Sequence, residues 1–412
     1  MTTSFAEAME HAVRILSGAA SRDVTLVHHN DTDGLSSGTI LLSALEQSGY
    51  HTTRFSLEKP YPQVLESLLA REGGIIIFAD FAGRIAPLIS RINQGRNLVI
   101  ILDHHPASPS VDPSVINLDG ELHGLKGDRD ISASATCYLF AETLLRHSGK
   151  SAVHLSHLGV LGAIGDGFLV DGALSGVNRT LLETAVDNGL MSVKETPEGE
   201  SYSISLGGTS HPAATICTVL DTLGGVGYYD KGTDRGIEVC RTGLVPALSS
   251  YVEELMATKA RIFTWETQKL REHIHTTAYL QWFDVQDRFK PMGIKMVGVF
   301  CTEIKDMDFL DQGKFLAGFQ HIPDEVPGFG AIAFMATKIS MRVSRTLSQR
   351  IRAGQLPGLD RILPEATEHL GGFSDACHSL SAATTVKIGQ EQALIEEIET
   401  ILSKRMEQHG NR

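Results

Sequence analysis

Cysteine is scarce in this chain and carries no pattern: Cys137, Cys217, Cys240, Cys301 and Cys377 are odd in number, far apart and set mostly in apolar surroundings. Without a Cys-x-x-Cys pair to suggest zinc or redox work, they read as reduced core thiols. Long hydrophobic runs are missing too, and none reaches the length of a membrane span. The N-terminus lacks the features of a signal peptide; Glu7 and Glu10 accompany an apolar face at helical spacing (Phe5, Met9, Val13, Leu16), which predicts an amphipathic helix and, by default, a cytoplasmic location. There is no internal repeat, heptad array or low-complexity tract. Positive charge is in short supply: 36 Lys and Arg against 49 Asp and Glu leave a net charge of −13. That balance excludes coating of nucleic acid by an overall positive field and leaves room for a local groove. One stretch, Ala331 to Pro357, carries Lys338, Arg342, Arg345, Arg350 and Arg352 with no acidic residue.

What is present is enough apolar material for large cores. At 412 residues and 42% hydrophobic content, the length favours two domains or more. Strand signals at Val24 to His29, Thr53 to Leu57, Gly74 to Phe81, Asn97 to His105 and Val115 to Leu118 alternate with helical segments at Leu35 to Glu46, Gln63 to Arg71 and Ile85 to Ile92. This is the pattern of a doubly wound parallel sheet. Helices are expected at Ala133 to Leu145, Ala152 to Ile164 and Leu174 to Asn188, and the polar segment Thr196 to Ser210 reads as a turn-rich excursion. A long helix from Leu244 to His275 then leads to a second α/β region. Its strands are expected at Leu280 to Val285, Gly293 to Cys301 and Ala331 to Val343, and its helices at Gly313 to Phe319, Leu363 to Leu370 and Glu391 to Met406.

Four fragments of the first half stand out: His29-Asn30-Asp31-Thr32-Asp33-Gly34, then Asp80 after Ile75 to Phe78, then Asp103-His104-His105, then Asp166 after Gly162-Ala163-Ile164-Gly165. The first three close apolar strand runs, and ligands of parallel sheets bind beyond the carboxyl ends of their strands. Carboxylates gathered there repel one another unless a cation neutralises them. Carboxylate and imidazole together suit manganese, magnesium or a related divalent ion. Strand alternation sends one of His28 and His29 toward the site and the other away, and position in the fragment favours His29. Gly34 is expected to turn the backbone after the acids, with Ser36 and Ser37 opening the next helix. Ser132 and Ser134 read either as phosphate contacts or, more economically, as helix caps. His154 and His157, at i and i+3, have no other ligand type near them and are not taken as a metal pair.

These fragments resemble the four N-terminal motifs of the DHH phosphoesterases, named for the Asp-His-His that is Asp103-His104-His105 here. The resemblance extends to RecJ-like nucleases through Ser340-Met341-Arg342-Val343-Ser344 and Gly371-Gly372. It implies an α/β fold with a parallel-sheet DHH domain (1–242), a connecting helix (243–277) and a smaller α/β C-terminal domain (278–412), the active site lying in the cleft between the domains. It further implies two divalent metal ions, Mn2+ preferred and Mg2+ admissible. Asp80 would bridge them, with His29 and Asp31 on one ion and Asp33, His104 and Asp166 on the other; Asp103 belongs to the same set. His105 is implied as a substrate contact or proton donor, and Arg342, with Ser340 and Arg345, as the phosphate clamp. The family's Gly-Gly-His is Gly371-Gly372-Phe373 here, so either an insertion brings His378 into that role or the histidine contact is absent.

The implied function is a RecJ-like exonuclease acting on single-stranded DNA or RNA, with the basic stretch guiding a polymer. A phosphodiesterase of short oligonucleotides or cyclic dinucleotides is the alternative that the acidic balance favours. A non-catalytic DHH scaffold of a replication or repair complex is the third reading, and the filled ligand positions count against it. The resemblance also allows a protein partner from replication or repair, and gives no reason to expect a membrane.

Overall fold

The computed structural model of the protein describes residues 4–197 and 199–410. The chain forms two compact units: one runs to Leu255 and takes in Val326–Ile332, the other comprises Met256–Glu325 and Ala333 onward.

The first unit opens with α1 (Phe5–Gly18), which buries Met9, Val13 and Leu16 and starts at a capping box between Ser4 and Glu7. Then β1 (Asp23–His28), α2 (Thr32–Gln47), β2 (His51–Ser56), α3 (Pro62–Leu69), β3 (Ile75–Ala79), α4 (Ala86–Asn93), β4 (Leu98–Asp103) and β5 (Val115–Asp119) build a five-stranded sheet in the order β2-β1-β3-β4-β5. Every pairing in it is parallel. The runs Ile75–Ala79 and Val99–Asp103 are wholly buried, as strands covered on both faces require. The chain leaves β1 toward β2 on one side and returns to β3 on the other, so the ends of β1 and β3 form a topological switch point, where such sheets bind ligands. After them come α5 (Ala133–His147), α6 (Ser156–Gly165) and α7 (Gly176–Asp187).

The polar segment expected as turns is instead a small antiparallel sheet of β6 (Met191–Thr196), β7 (Gly199–Leu206) and β8 (Thr209–Pro212). Its serines face outward between buried Tyr202, Ile204 and Leu206, a period of two that the Gly and Ser content masks. Next, α8 (Ala213–Asp221) passes through a π-turn at Thr222–Val226 before α9 (Gly232–Thr242). The long helix α10 (Pro246–Glu272) follows.

In the second unit, a six-stranded sheet has the order β15-β16-β14-β11-β10-β9. Its members are β9 (His275–Thr276), β10 (Leu280–Asp284), β11 (Phe315–His321), β14 (Ala336–Arg342), β15 (Phe373–Cys377) and β16 (Ser381–Lys387). A two-stranded ribbon, β12 (Glu325–Val326) and β13 (Gly330–Ala331), interrupts the sequence. Two expectations reverse here. Gly293 to Cys301, read as a strand, lies largely in helix α11 (Lys295–Ile304), whereas Gly313 to Phe319, read as a helix, lies largely in strand β11. The reason is topological: β10 and β11 are parallel neighbours and need a crossover, which α11 supplies. Met296, Val297, Phe300, Cys301 and Ile304 then fall on one buried helical face. The remaining helices are α12 (Arg345–Arg352), α13 (Leu363–His369) and α14 (Glu391–Gly410). Leu363 and Ala366 of α13 and Leu394, Ile395 and Ile398 of α14 share a core with Phe319, Ile339 and Met341 of the sheet.

Candidate metal centre

All seven expected donor residues of the first unit meet beyond the ends of β1, β3 and β4. His29 directly follows β1, and its Nδ1 lies 2.8 Å from Asp31 Oδ2 and 3.3 Å from Asp80 Oδ2. His104 Nε2 lies 3.3 Å from Asp166 Oδ2, 3.5 Å from Asp80 Oδ1 and 4.0 Å from Asp33 Oδ2. The two oxygens of Asp80 thus face two different groups, His29 with Asp31 on one side and His104 with Asp33 and Asp166 on the other. Potential ligand atoms within each group lie within 4.8 Å of one another. Asp80 holds this position in a left-handed backbone, φ 68°, a conformation that costs a non-glycine residue about 1 kcal/mol or more. Its N–H is tied to Leu102 O (2.9 Å).

The first motif is a helix terminus. Asp31 is the N-cap of α2 and accepts from Gly34 N–H (3.1 Å), so Asp31 rather than Ser36 or Ser37 opens the helix. Gly34 is inside that helix, and space rather than a turn demands glycine: a methyl group there would sit 2.4 Å from the His29 carbonyl. Asp33 reaches the N-terminus of α5, where its carboxylate accepts from Ala133 N–H and Ser134 N–H (2.9 Å each). Ser132 is the N-cap of α5, and Ser134 Oγ donates to Gly159 O (2.9 Å). Both serines are fully buried in these structural bonds.

Imidazole orientation sets the chemistry. Gly127 O lies 2.5 Å from His104 Nδ1, and a carbonyl only accepts, so Nδ1 carries the proton and Nε2 is left facing the carboxylates. Backbone carbonyls orient metal-binding histidines in this way. His28, in contrast, is fully buried, with Nδ1 2.7 Å from His29 O, and burial pushes its pKa down to about 3. Among the described residues, no cluster of potential metal ligands includes His154 or His157. Burial pushes His157 down to about 4.

Charges in the centre are unbalanced. Burial first, then the neighbouring Asp80 and Asp166, raise the Asp33 pKa well above the usual carboxylate range. Burial and Asp31 also raise the Asp80 pKa from its ordinary value. Burial alone would lower His104, but the carboxylates of Asp166 and Asp80 beside it outweigh that and raise it. Among the described residues, buried Asp80 Oδ2 and His104 Nε2 find no hydrogen-bond partner of good geometry. A divalent cation in each group would answer all of these at once, and the donor set of carboxylates and imidazoles is the one that Mn2+ and Mg2+ accept.

Asp103 behaves differently from the others. Its Oδ2 accepts from Gly83 N–H (2.8 Å), while Oδ1 accepts from His104 N–H (2.8 Å) and faces His105 Nδ1 at 2.8 Å. Burial raises its pKa, yet His105 overrides this and holds it low. In return, burial would lower His105, but Asp103 raises it to about 9. The His105 side chain remains 45% exposed at the rim.

In the second unit, Arg342 at the end of β14 lies over α11. It donates to Thr302 Oγ1 (2.9 Å), Ser340 Oγ (3.4 Å) and Met341 O (2.8 Å), and no carboxylate is among these partners. Arg345 begins α12 and is exposed, with its backbone N–H on Asp306 Oδ1 (2.7 Å). The basic stretch does not form one surface, because Lys338 is buried in β14. Gly371 and Gly372 terminate α13 through bonds to Glu368 O and Thr367 O, Gly371 at φ 66°. They precede the end of β15 that pairs with Thr385, whereas Arg342 pairs with Ser381 at the other end of β16. Exposed His378 follows β15, its N–H on Ser381 O (2.9 Å), and so shares the Arg342 end of the sheet. The glycine pair and Arg342 are therefore not brought together.

Residue reading alone could not find Gly127, whose carbonyl orients His104, since a carbonyl leaves no mark in sequence. Nor could it tell that Asp103 is held by the His105 ring and three backbone amides.

No family model matches the chain. An uncharacterized protein of Methanocaldococcus jannaschii is 33% identical over 172 residues, 39% of this chain and 36% of that relative. Among solved structures, RecJ from Thermus thermophilus in complex with Mn2+ is similar to 97% of this chain at a TM-score of 0.63 and 14% identity; the chain spans 55% of that protein. The DHH domain of a member of the s1p family of ribosomal proteins matches 96% of this chain and 88% of its own length, at a TM-score of 0.57 and 14% identity. CDC45 from Entamoeba histolytica matches 96% of this chain and 99% of its own length, at a TM-score of 0.56 and 9% identity. The chain has the two-domain α/β fold of the DHH proteins, and within that class its architecture is RecJ-like.

Proposed function

We propose that this protein is a divalent-metal-dependent phosphodiesterase, and specifically an exonuclease of single-stranded DNA or RNA. The observation that carries this reading is the pair of donor groups sharing Asp80, with His104 Nε2 locked toward three carboxylates. His29, Asp31 and Asp80 would hold one divalent ion, and Asp33, Asp80, His104 and Asp166 the other. Such ions supply charge neutralisation to a phosphoryl group and acidify bound water. Asp103 lies within ligand distance of Asp80, His104 and His105 and, through its bond to His105, also acts on that imidazole.

With Nδ1–H directed at Asp103, His105 presents Nε2 outward, and the carboxylate keeps that nitrogen protonated near neutral pH. It is the proton donor for the departing oxygen, a role that requires a group charged at the working pH. Arg342 supplies a guanidinium fork with no carboxylate partner among the described residues, which fits a phosphate. Exposed Arg345 extends positive charge from it along α12, in support of a strand rather than a single phosphate. The likeness to the Thermus RecJ supports the nuclease reading, and the likeness to CDC45 keeps a replication scaffold as the rival.

The test is cleavage of an end-labelled 20-mer, as DNA and as RNA, beside a dinucleotide, with Mn2+ or Mg2+. Progressive shortening of the 20-mer that vanishes in Asp80→Ala is expected. Arg342→Ala with Arg345→Ala should reduce cleavage of the 20-mer more than that of the dinucleotide. Cleavage of the dinucleotide alone would replace the exonuclease by a short-substrate phosphodiesterase, and no cleavage of either would favour the scaffold.

A further inference from the structure

The first motif alternates in use. His29, Asp31 and Asp33 face the metal centre, while the residues between them, Asn30 and Thr32, are held by a segment nearly 190 positions later. Thr32 N–H donates to Asp221 Oδ1 (3.0 Å), and Thr32 Oγ1 lies 2.8 Å from the same oxygen and 3.1 Å from Cys217 O. Asn30 Nδ2 donates to Gly224 O (2.7 Å). Asn30 and Thr32 are both buried. The two backbones touch: a methyl group at Gly224 would lie 1.5 Å from Asn30 O. Thr32 also packs its methyl group on the helix that carries Asp166, where a side chain at Gly165 would meet Thr32 Cγ2 at 2.4 Å.

Asp221 is placed against its own helix. It closes α8, where a carboxylate opposes the helix dipole, and it lies instead at the N-terminus of α2, where the same charge is favourable and an unsatisfied amide needs an acceptor. The π-turn at Thr222–Val226 follows at once and brings Gly224 O to Asn30. Such π segments are rare and frequently fall at functional sites.

Building on the proposed metal centre, we infer that Asp221 is a positioning residue for it: through Thr32, it sets the direction of the flanking ligands Asp31 and Asp33. The clamp at Asn30 and Gly224 does the same for His29. Residues that orient metal ligands through hydrogen bonds change metal affinity when replaced, whereas a helix cap acting only on stability does not.

The experiment is Mn2+ binding by calorimetry and by the loss of free-Mn2+ electron paramagnetic resonance, with thermal unfolding of each metal-free protein. Asp221→Ala should weaken Mn2+ binding by about tenfold or more, the scale of such outer interactions. Asp221→Asn, whose amide oxygen still accepts both bonds, should recover most of that loss. Thr32→Val should follow Asp221→Ala, and Thr32→Ser should stay near wild type; this pair decides the matter if Asp221→Ala does not fold. Wild-type affinity in Asp221→Ala or, in that event, in Thr32→Val overturns the inference, even if unfolding shifts. A wild-type protein that takes up no Mn2+ overturns the metal centre itself and this inference with it.

Discussion

His105 and Asp103 illustrate how one residue sets the chemistry of another. Asp103 is buried and bonded to three backbone amides, so its charge is fixed in place, and the imidazole 2.8 Å away carries the consequence. In metal-free protein followed by NMR, Asp103→Asn should move the His105 pKa from about 9 down toward the ordinary value of 6.5. An unchanged titration would remove Asp103 from the proton-donor argument. Asp80 makes a different case, since it combines burial, a neighbouring carboxylate and φ 68°. Asp80→Asn removes the charge while keeping a side chain that tolerates the left-handed backbone. It should raise the thermal midpoint of metal-free protein modestly and abolish both hydrolysis and the Mn2+-dependent stabilisation. Every one of these residues was visible in the sequence as part of a motif. The division of labour among them was not, because Asp103 and Asp80 differ in backbone conformation and in which atoms face them, neither of which the sequence displays.

At the scale of elements, the centre depends on close helix packing. A methyl group at Gly162 would lie 2.1 Å from Asp33 Oδ1 and 2.2 Å from Ser134 Oγ, so α6 can approach α2 and α5 only with glycine there. Gly162→Ala should cost about 1–3 kcal/mol in denaturant unfolding, as overpacking does, and weaken Mn2+ binding by displacing Asp33. A stable variant with normal binding would show that α6 can move aside freely. The elements of the parallel sheet were legible because β1, β3 and β4 are short apolar runs, each closed by a polar motif. In the second unit the same logic failed for α11 and β11. The apolar run Met296 to Phe300 fits a strand or a helix equally well, and the need for a crossover between parallel β10 and β11 decided it.

For the whole molecule, the metal-free protein carries an electrostatic cost that grows with pH. His105, raised to about 9, stabilises the fold fully below its unfolded value of 6.5, and that contribution is lost as pH rises toward 9. Asp33 and Asp80, raised by burial and like charges, favour the folded state while protonated and disfavour it once ionised, so they act in the same direction. Asp119, raised to about 7 by burial and by Asp103, adds to this between its ordinary value and 7. The thermal midpoint in chelator should therefore fall from pH 6 to pH 9. Mn2+ should restore it, more at pH 8 than at pH 6, because bound cations require the deprotonated carboxylates. A midpoint independent of both pH and Mn2+ would contradict the unbalanced centre. By itself, the sequence determined the parallel sheet and marked out the acidic and histidine residues that gather beyond its strand ends, because both follow from local apolar periodicity and from residue types at strand ends. Only the tertiary structure decided that Asp80 faces two donor groups, that Gly127 orients His104, that Asp221 holds Thr32, and that Gly371 and Gly372 lie away from Arg342. These depend on which distant backbone atoms come within hydrogen-bond reach, and a linear pattern carries no record of that.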